Sequence, residues 1–100
     1  MATDWKEVQM RLEEARNKGT SPERLLELAA DKDHMVRNAV AENPNTPPEA
    51  LAHLASDEDY VRLAVAKHPG TPRDFLAVLV EDGDPEVRRA ALRHFKQTRT

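Results

Sequence analysis

The chain has no cysteine and no isoleucine, and only three glycines and four aromatic residues in 100. Without cysteine there is no disulfide, thiolate zinc site, iron–sulfur cluster or cysteine nucleophile. With 14 alanines and 10 leucines against 8 valines, the apolar residues favour helix over sheet. Gly19, Gly70 and Gly83 stand apart, so there is no glycine-rich phosphate loop. The two serines, Ser21 and Ser56, fall at helix boundaries and form no nucleophile constellation. No apolar run approaches the roughly 20 residues of a membrane span. Asp4, Lys6 and Glu7 stand where a signal peptide would turn apolar. Composition thus predicts a soluble, cytoplasmic protein that is not an enzyme and holds no cofactor and no metal.

What is present is a repeat. Three units align, residues 20–45, 46–70 and 71–97. Thr20, Thr46 and Thr71 open them; Leu25, Leu51 and Leu76, then Leu28, Leu54 and Leu79, follow at fixed offsets. An acidic step comes next, Asp31 with Asp33, Asp57 with Asp59 and Asp82 with Asp84, and then the pairs Val36-Arg37, Val61-Arg62 and Val87-Arg88. A fixed period of this kind decides the architecture, because each unit needs its neighbours to bury its apolar face.

Each unit reads as two short helices. Thr20-Ser-Pro-Glu23, Thr46-Pro-Pro-Glu49 and Thr71-Pro-Arg-Asp74 resemble capping boxes, with Pro47 and Pro72 at the first helical position. The first helix is expected to end near Ala30, Ser56 and Glu81. The second starts at the aspartates and buries Val36, Ala39 and Val40, then Val61, Ala64 and Val65, then Val87, Ala90 and Ala91. Asn43-Pro44 and His68-Pro69 stop two copies, whereas His94-Phe95 lets the third run on. Residues 1–19 form an N-terminal capping helix, with Trp5, Val8, Leu12 and Ala15 on one face and Gly19 at its end. Trp5 is expected to pack, and otherwise to anchor a partner. Residues 98–100 are a tail, and the whole is one structural domain.

The run from Val36 to Pro47, V-R-x-A-V-A-x-N-P-x-T-P, with its echo from Val61 to Pro72, is similar to the variant leucine-rich repeat family. The resemblance covers about residues 20–97. It implies an all-α fold, a short right-handed-type α/α (or α/3₁₀) superhelical solenoid of about three repeats, with no common catalytic activity and surfaces used for binding or structure. Iron–sulfur binding, known in members with cysteines, does not transfer to this chain. Phe95 in place of proline and Arg73 in place of a second proline are departures.

The candidate residues follow from position. Arg37, Arg62 and Arg88 match Asp31, Asp57 and Asp82 in number and register. They are read as an inter-repeat ladder, with a stripe for phosphates or acidic peptides as the other reading. The aspartates do not complete an EF-hand loop: from Asp31, Met35 and Val36 stand where oxygen and glycine are required, and from Asp82, Val87 and Arg93 stand where glycine and glutamate are. His68 and His94 are equivalent but lack further zinc ligands, and are read as backbone-bonding side chains. Asn38, Leu63 and Arg89 on the second helices, with Glu42, Lys67 and Arg93 one turn on and Tyr60 beside Leu63, are the expected partner surface. The expected function is a protein-interaction module or scaffold. An exposed Leu63 beside Tyr60 would add a weak homodimer. The basic C-terminal helix, Arg88, Arg89, Arg93, Lys96 and Arg99, makes nucleic-acid binding the second reading, against which stands a net charge of −3.

Overall fold

The computed structural model describes residues 4–98, and among these it contains seven helices and no strand. The helices are α1 (Trp5–Arg16), α2 (Pro22–Leu28), α3 (His34–Glu42), α4 (Pro48–Leu54), α5 (Asp59–Lys67), α6 (Arg73–Leu79) and α7 (Pro85–Gln97). All are α-helical, so the short first helices are not 3₁₀. Helices of seven to nine residues do not persist alone in water, and here they pack in sequence. α1, α3, α5 and α7 lie one against the next, while α2, α4 and α6 each pack on the helix that follows them. The body measures 45 × 27 × 15 Å.

The core is the sum of the repeated positions. Leu25, Leu51 and Leu76, Leu28, Leu54 and Leu79, Val36, Val61 and Val87, and Val40, Val65 and Ala91 are all buried. Alanine at 41 and 66, fully buried, lets consecutive second helices approach closely. α7 runs through Phe95 to Gln97, past the position where Pro44 and Pro69 stop α3 and α5.

Several boundaries differ from the sequence reading. The first helices end at Leu28, Leu54 and Leu79 rather than two residues later. Thr20, Thr46 and Thr71 do not cap the helices they precede. Ser21, Pro47 and Pro72 hold the N-cap positions instead, and Pro47 accepts the N–H groups of Ala50 and Leu51 through its carbonyl. The threonine hydroxyls turn back: Thr20 donates to the carbonyl of Glu14 (2.6 Å), Thr46 to that of Val40 (2.5 Å) and Thr71 to that of Val65 (2.6 Å). Each of these carbonyls also accepts the N–H of its helix's C-cap residue, Asn17, Asn43 or His68, so the threonine adds a second bond at each chain reversal. Asp33 and Asp84 cap α3 and α7 through Met35 and Glu86. In the middle unit, one residue shorter, Glu58 takes the N-cap position and makes no side-chain cap bond.

Trp5 does not pack; it is 62% exposed. The 26-residue spacing sets His34, the first residue of α3, level with Val8, so α1 begins earlier and its first turn overhangs the neighbouring helix. Val8 and Ala15 are buried and Leu12 is half-buried.

Candidate functional site

Two ladders of polar contacts run along the stack. In the first, Arg37 donates from Nε to Asp57 Oδ2 (2.7 Å) and from Nη2 to Oδ1 (3.3 Å), and Arg62 does the same to Asp82 (2.8 and 2.9 Å). Each guanidinium also spends Nη1 on its own unit, on the carbonyls of Asp31 (2.8 Å) and Asp57 (2.7 Å) respectively. One planar fork therefore clamps the acidic step of the following unit while fastening its own. Arg88 repeats the intra-unit bond, Nη1 to the carbonyl of Asp82 at 2.6 Å. It does not reach that residue's carboxylate, which Arg62 already holds.

The Asp31 carboxylate is taken by Arg11 of α1 at 2.6 Å, a partner the sequence reading missed. The signal was there: Arg11, Asn17 and Thr20 precede Arg37, Asn43 and Thr46 by 26 residues each. Asn17 accepts the N–H of Gly19 just as Asn43 accepts that of Asn45. α1 therefore stands one period ahead of α3, at the position of a second helix. Met10, which occupies the position of the buried Val36, is 66% exposed.

The second ladder joins the helix ends. Asn43 Nδ2 donates to the carbonyls of Ala15 (2.8 Å) and Asn17 (2.9 Å). His68, buried, contacts the carbonyl of Asn43 through Nε2 (2.6 Å) and accepts the N–H of Gly70 at Nδ1 (2.8 Å), which sets its proton on Nε2. His94 Nδ1 lies 3.0 Å from the carbonyl of Ala66. Among the described residues no group of three or more His, Asp or Glu gathers in a way that could hold a metal ion.

The ladder carboxylates titrate low. At Asp82 the Arg62 hydrogen bonds prevail over burial, helped by the Asp84 N–H, and the pKa is lowered. At Asp57 burial pushes upward most strongly, yet the Arg37 guanidinium and the Glu58 N–H together with nearby positive charge bring the net shift down. A carboxyl whose folded pKa lies below its unfolded 3.8 stabilises the fold above that value, and the contribution is lost as pH falls through the folded one. The melting temperature should therefore drop from about pH 5 to pH 3. A variant combining Asp57→Asn and Asp82→Asn, already weaker at pH 7, should show a shallower drop. Parallel curves for the two proteins would remove the ladder as the cause.

The expected partner residues lie on the face formed by the second helices. Glu42, Tyr60, Lys67, Arg89 and Arg93 are exposed, whereas Asn38 and Leu63 are half-buried. Leu63 leans on the core, so the exposed leucine that would have added a homodimer is not there. Tyr60 instead meets His34, edge to face at 5.7 Å between ring centroids, with its hydroxyl on Nδ1. Between α5 and α7 runs a furrow. One part, about 160 Å³, is walled by Leu63, Lys67, Glu86, Arg89, Ala90 and Arg93. A second, about 250 Å³, continues past Ala66, Pro69 and His94 between Lys67 and Arg93. A shallower furrow of about 210 Å³ between α3 and α5 holds Ala41, Glu42, Ala64, Lys67, His68 and Pro69. A broader depression, about 750 Å³ over the α4–α5 turn, is wide open, and its Asp57 and Arg62 are committed to the ladder.

Stacked helix pairs clamped unit to unit define an all-helical repeat protein. A family model, the Leucine Rich Repeat Variant domain, matches residues 35–94, and the chain belongs to that family. No curated protein and no solved structure matches it. Among the described residues no helix is long and apolar enough to cross a membrane.

Proposed function

We propose that this chain is a non-catalytic interaction module: a short capped solenoid of about three repeats, one structural domain, whose second-helix face receives another protein. The family supports this reading, since its repeats commonly serve as interaction modules. The observation that carries it further is the α5–α7 furrow, with an apolar floor of Leu63, Ala66, Ala90 and Pro69 and a basic rim of Lys67, Arg89 and Arg93. Apolar contact with opposite charge at the rim suits an acidic, partly apolar protein segment. The cysteine-free, charge-rich composition supports a cytoplasmic setting.

Charge reversal tests the reading. A Lys67→Glu/Arg93→Glu variant touches only exposed side chains and should keep the wild-type circular dichroism. It should lose a protein captured by the wild type from the native host, with affinity down at least about tenfold. Equal capture by both proteins would mean the furrow is not the site. Nucleic-acid binding would appear as salt-sensitive retention on heparin that the same variant abolishes; Glu42 and Glu86 among the basic residues, and the net charge of −3, stand against it.

A further inference from the structure

α1, α3, α5 and α7 align at two positions that in the first three face the following unit: Arg11 and Ala15, Arg37 and Ala41, Arg62 and Ala66, with Arg88 and Leu92 in the fourth. In the first three the arginine grips an aspartate of the next unit and the alanine is 0% exposed. In the fourth the guanidinium is anchored in the same way, Nη1 on the Asp82 carbonyl. Its Nε and Nη2, the atoms that receive a carboxylate in Arg37 and Arg62, have no partner among the described residues. Leu92, at the alanine position, is 45% exposed. The outer side of α7 thus presents the donor half of an inter-unit contact.

We infer that the α7 end of the stack is a second docking surface, distinct from the furrow, which takes a carboxylate-bearing helical segment of a partner protein. The chemistry specifies the occupant. An aspartate or glutamate near the start of its helix meets the Arg88 fork bidentately, as Asp82 meets Arg62 at 2.8 and 2.9 Å. Small residues on the following turn leave room for Leu92, which fills the space that Ala41 and Ala66 leave to their neighbours. Lys96, on the same helix and outside the furrow lining, favours an acidic segment. A second copy of the chain is the poorer occupant. Its three step aspartates are already held by Arg11, Arg37 and Arg62, and two α7 ends face to face would oppose like charges.

The probe is an acetylated, amidated peptide of residues 57–67, the segment whose Asp57 meets the Arg37 fork within the fold, with three acidic side chains against two basic and Ala64 and Ala66 one turn on. Titrated into the full ¹⁵N-labelled chain, it should shift the Arg88 side-chain Nε–H and the Leu92 amide saturably. Arg88→Gln in the protein, or Asp57→Asn in the peptide, should each weaken binding about tenfold, and the two together no further. Arg88→Lys, which keeps the charge but not the fork, should also bind more weakly. Shifts confined to Lys67 and Arg93, no shift at Arg88 or Leu92 with millimolar peptide, binding indifferent to Arg88→Gln, or a dimer of the chain in sedimentation would each overturn the inference.

Discussion

An Arg62→Ala variant should melt roughly 10 °C below the wild type, a loss of about 2 kcal/mol in a domain of this size. The side chain makes three bonds, two to Asp82 and one to the Asp57 carbonyl, and both partners are largely shielded, with side-chain exposures of 23% and 9%. Removing it leaves the largely shielded Asp82 carboxylate with only the Asp84 N–H as hydrogen-bond partner. The loss therefore falls between that of an exposed pair, about 0–1 kcal/mol, and that of a buried one, about 3–5 kcal/mol. Arg88→Ala is the internal control. It forfeits one exposed hydrogen bond, worth at most about 1 kcal/mol. Thermal unfolding followed by circular dichroism should separate the two variants clearly. Equal melting temperatures would mean that the ladder contributes specificity of register and little stability.

Leu54→Ala should be more damaging still, at about 3 kcal/mol and up to about 5 kcal/mol if the cavity does not collapse. Leu54 is 0% exposed at the end of the central first helix, α4, where the body is two layers thick and no second core stands in reserve. Small domains start with about 5–15 kcal/mol, so the variant should unfold at a markedly lower denaturant midpoint. Val78→Ala, at a residue 69% exposed, should stay within about 0.5 kcal/mol of the wild type. A Leu54→Ala midpoint close to that of the wild type would show that the buried leucine column is not what holds the repeats together.

The sequence made the repeated core legible because period and burial coincide. Every leucine of the two first-helix columns and the valines at 36, 61 and 87 are inside, as their spacing predicts. The threonines misled because hydroxyl, proline and carboxylate in that order are also how a capping box reads. Only the neighbouring helix's carbonyl, which is remote from the motif in the alignment of units, shows which way the hydroxyl points. Arg11 was missed for a different reason. Glu13 and Glu14 stand where Ala39 and Val40 are buried, so the apolar pattern that reveals the other units is broken there. Glu14 pairs with Arg24 (3.0 Å) rather than entering a core. The residues of the second-helix face were legible as positions, but whether Leu63 projected or leaned inward depended on the neighbouring helix.

The middle unit is one residue short, yet its arginine and aspartate still meet their neighbours at 2.7 and 2.8 Å. The missing residue is absorbed at the start of α5, which forgoes its side-chain cap. Length variation thus falls between the clamped aspartate and the first turn of α5, and leaves the clamp intact. Duplication or deletion of whole modules during descent would leave every surviving junction intact, so an ancestor of this chain could change in length without re-evolving its fasteners.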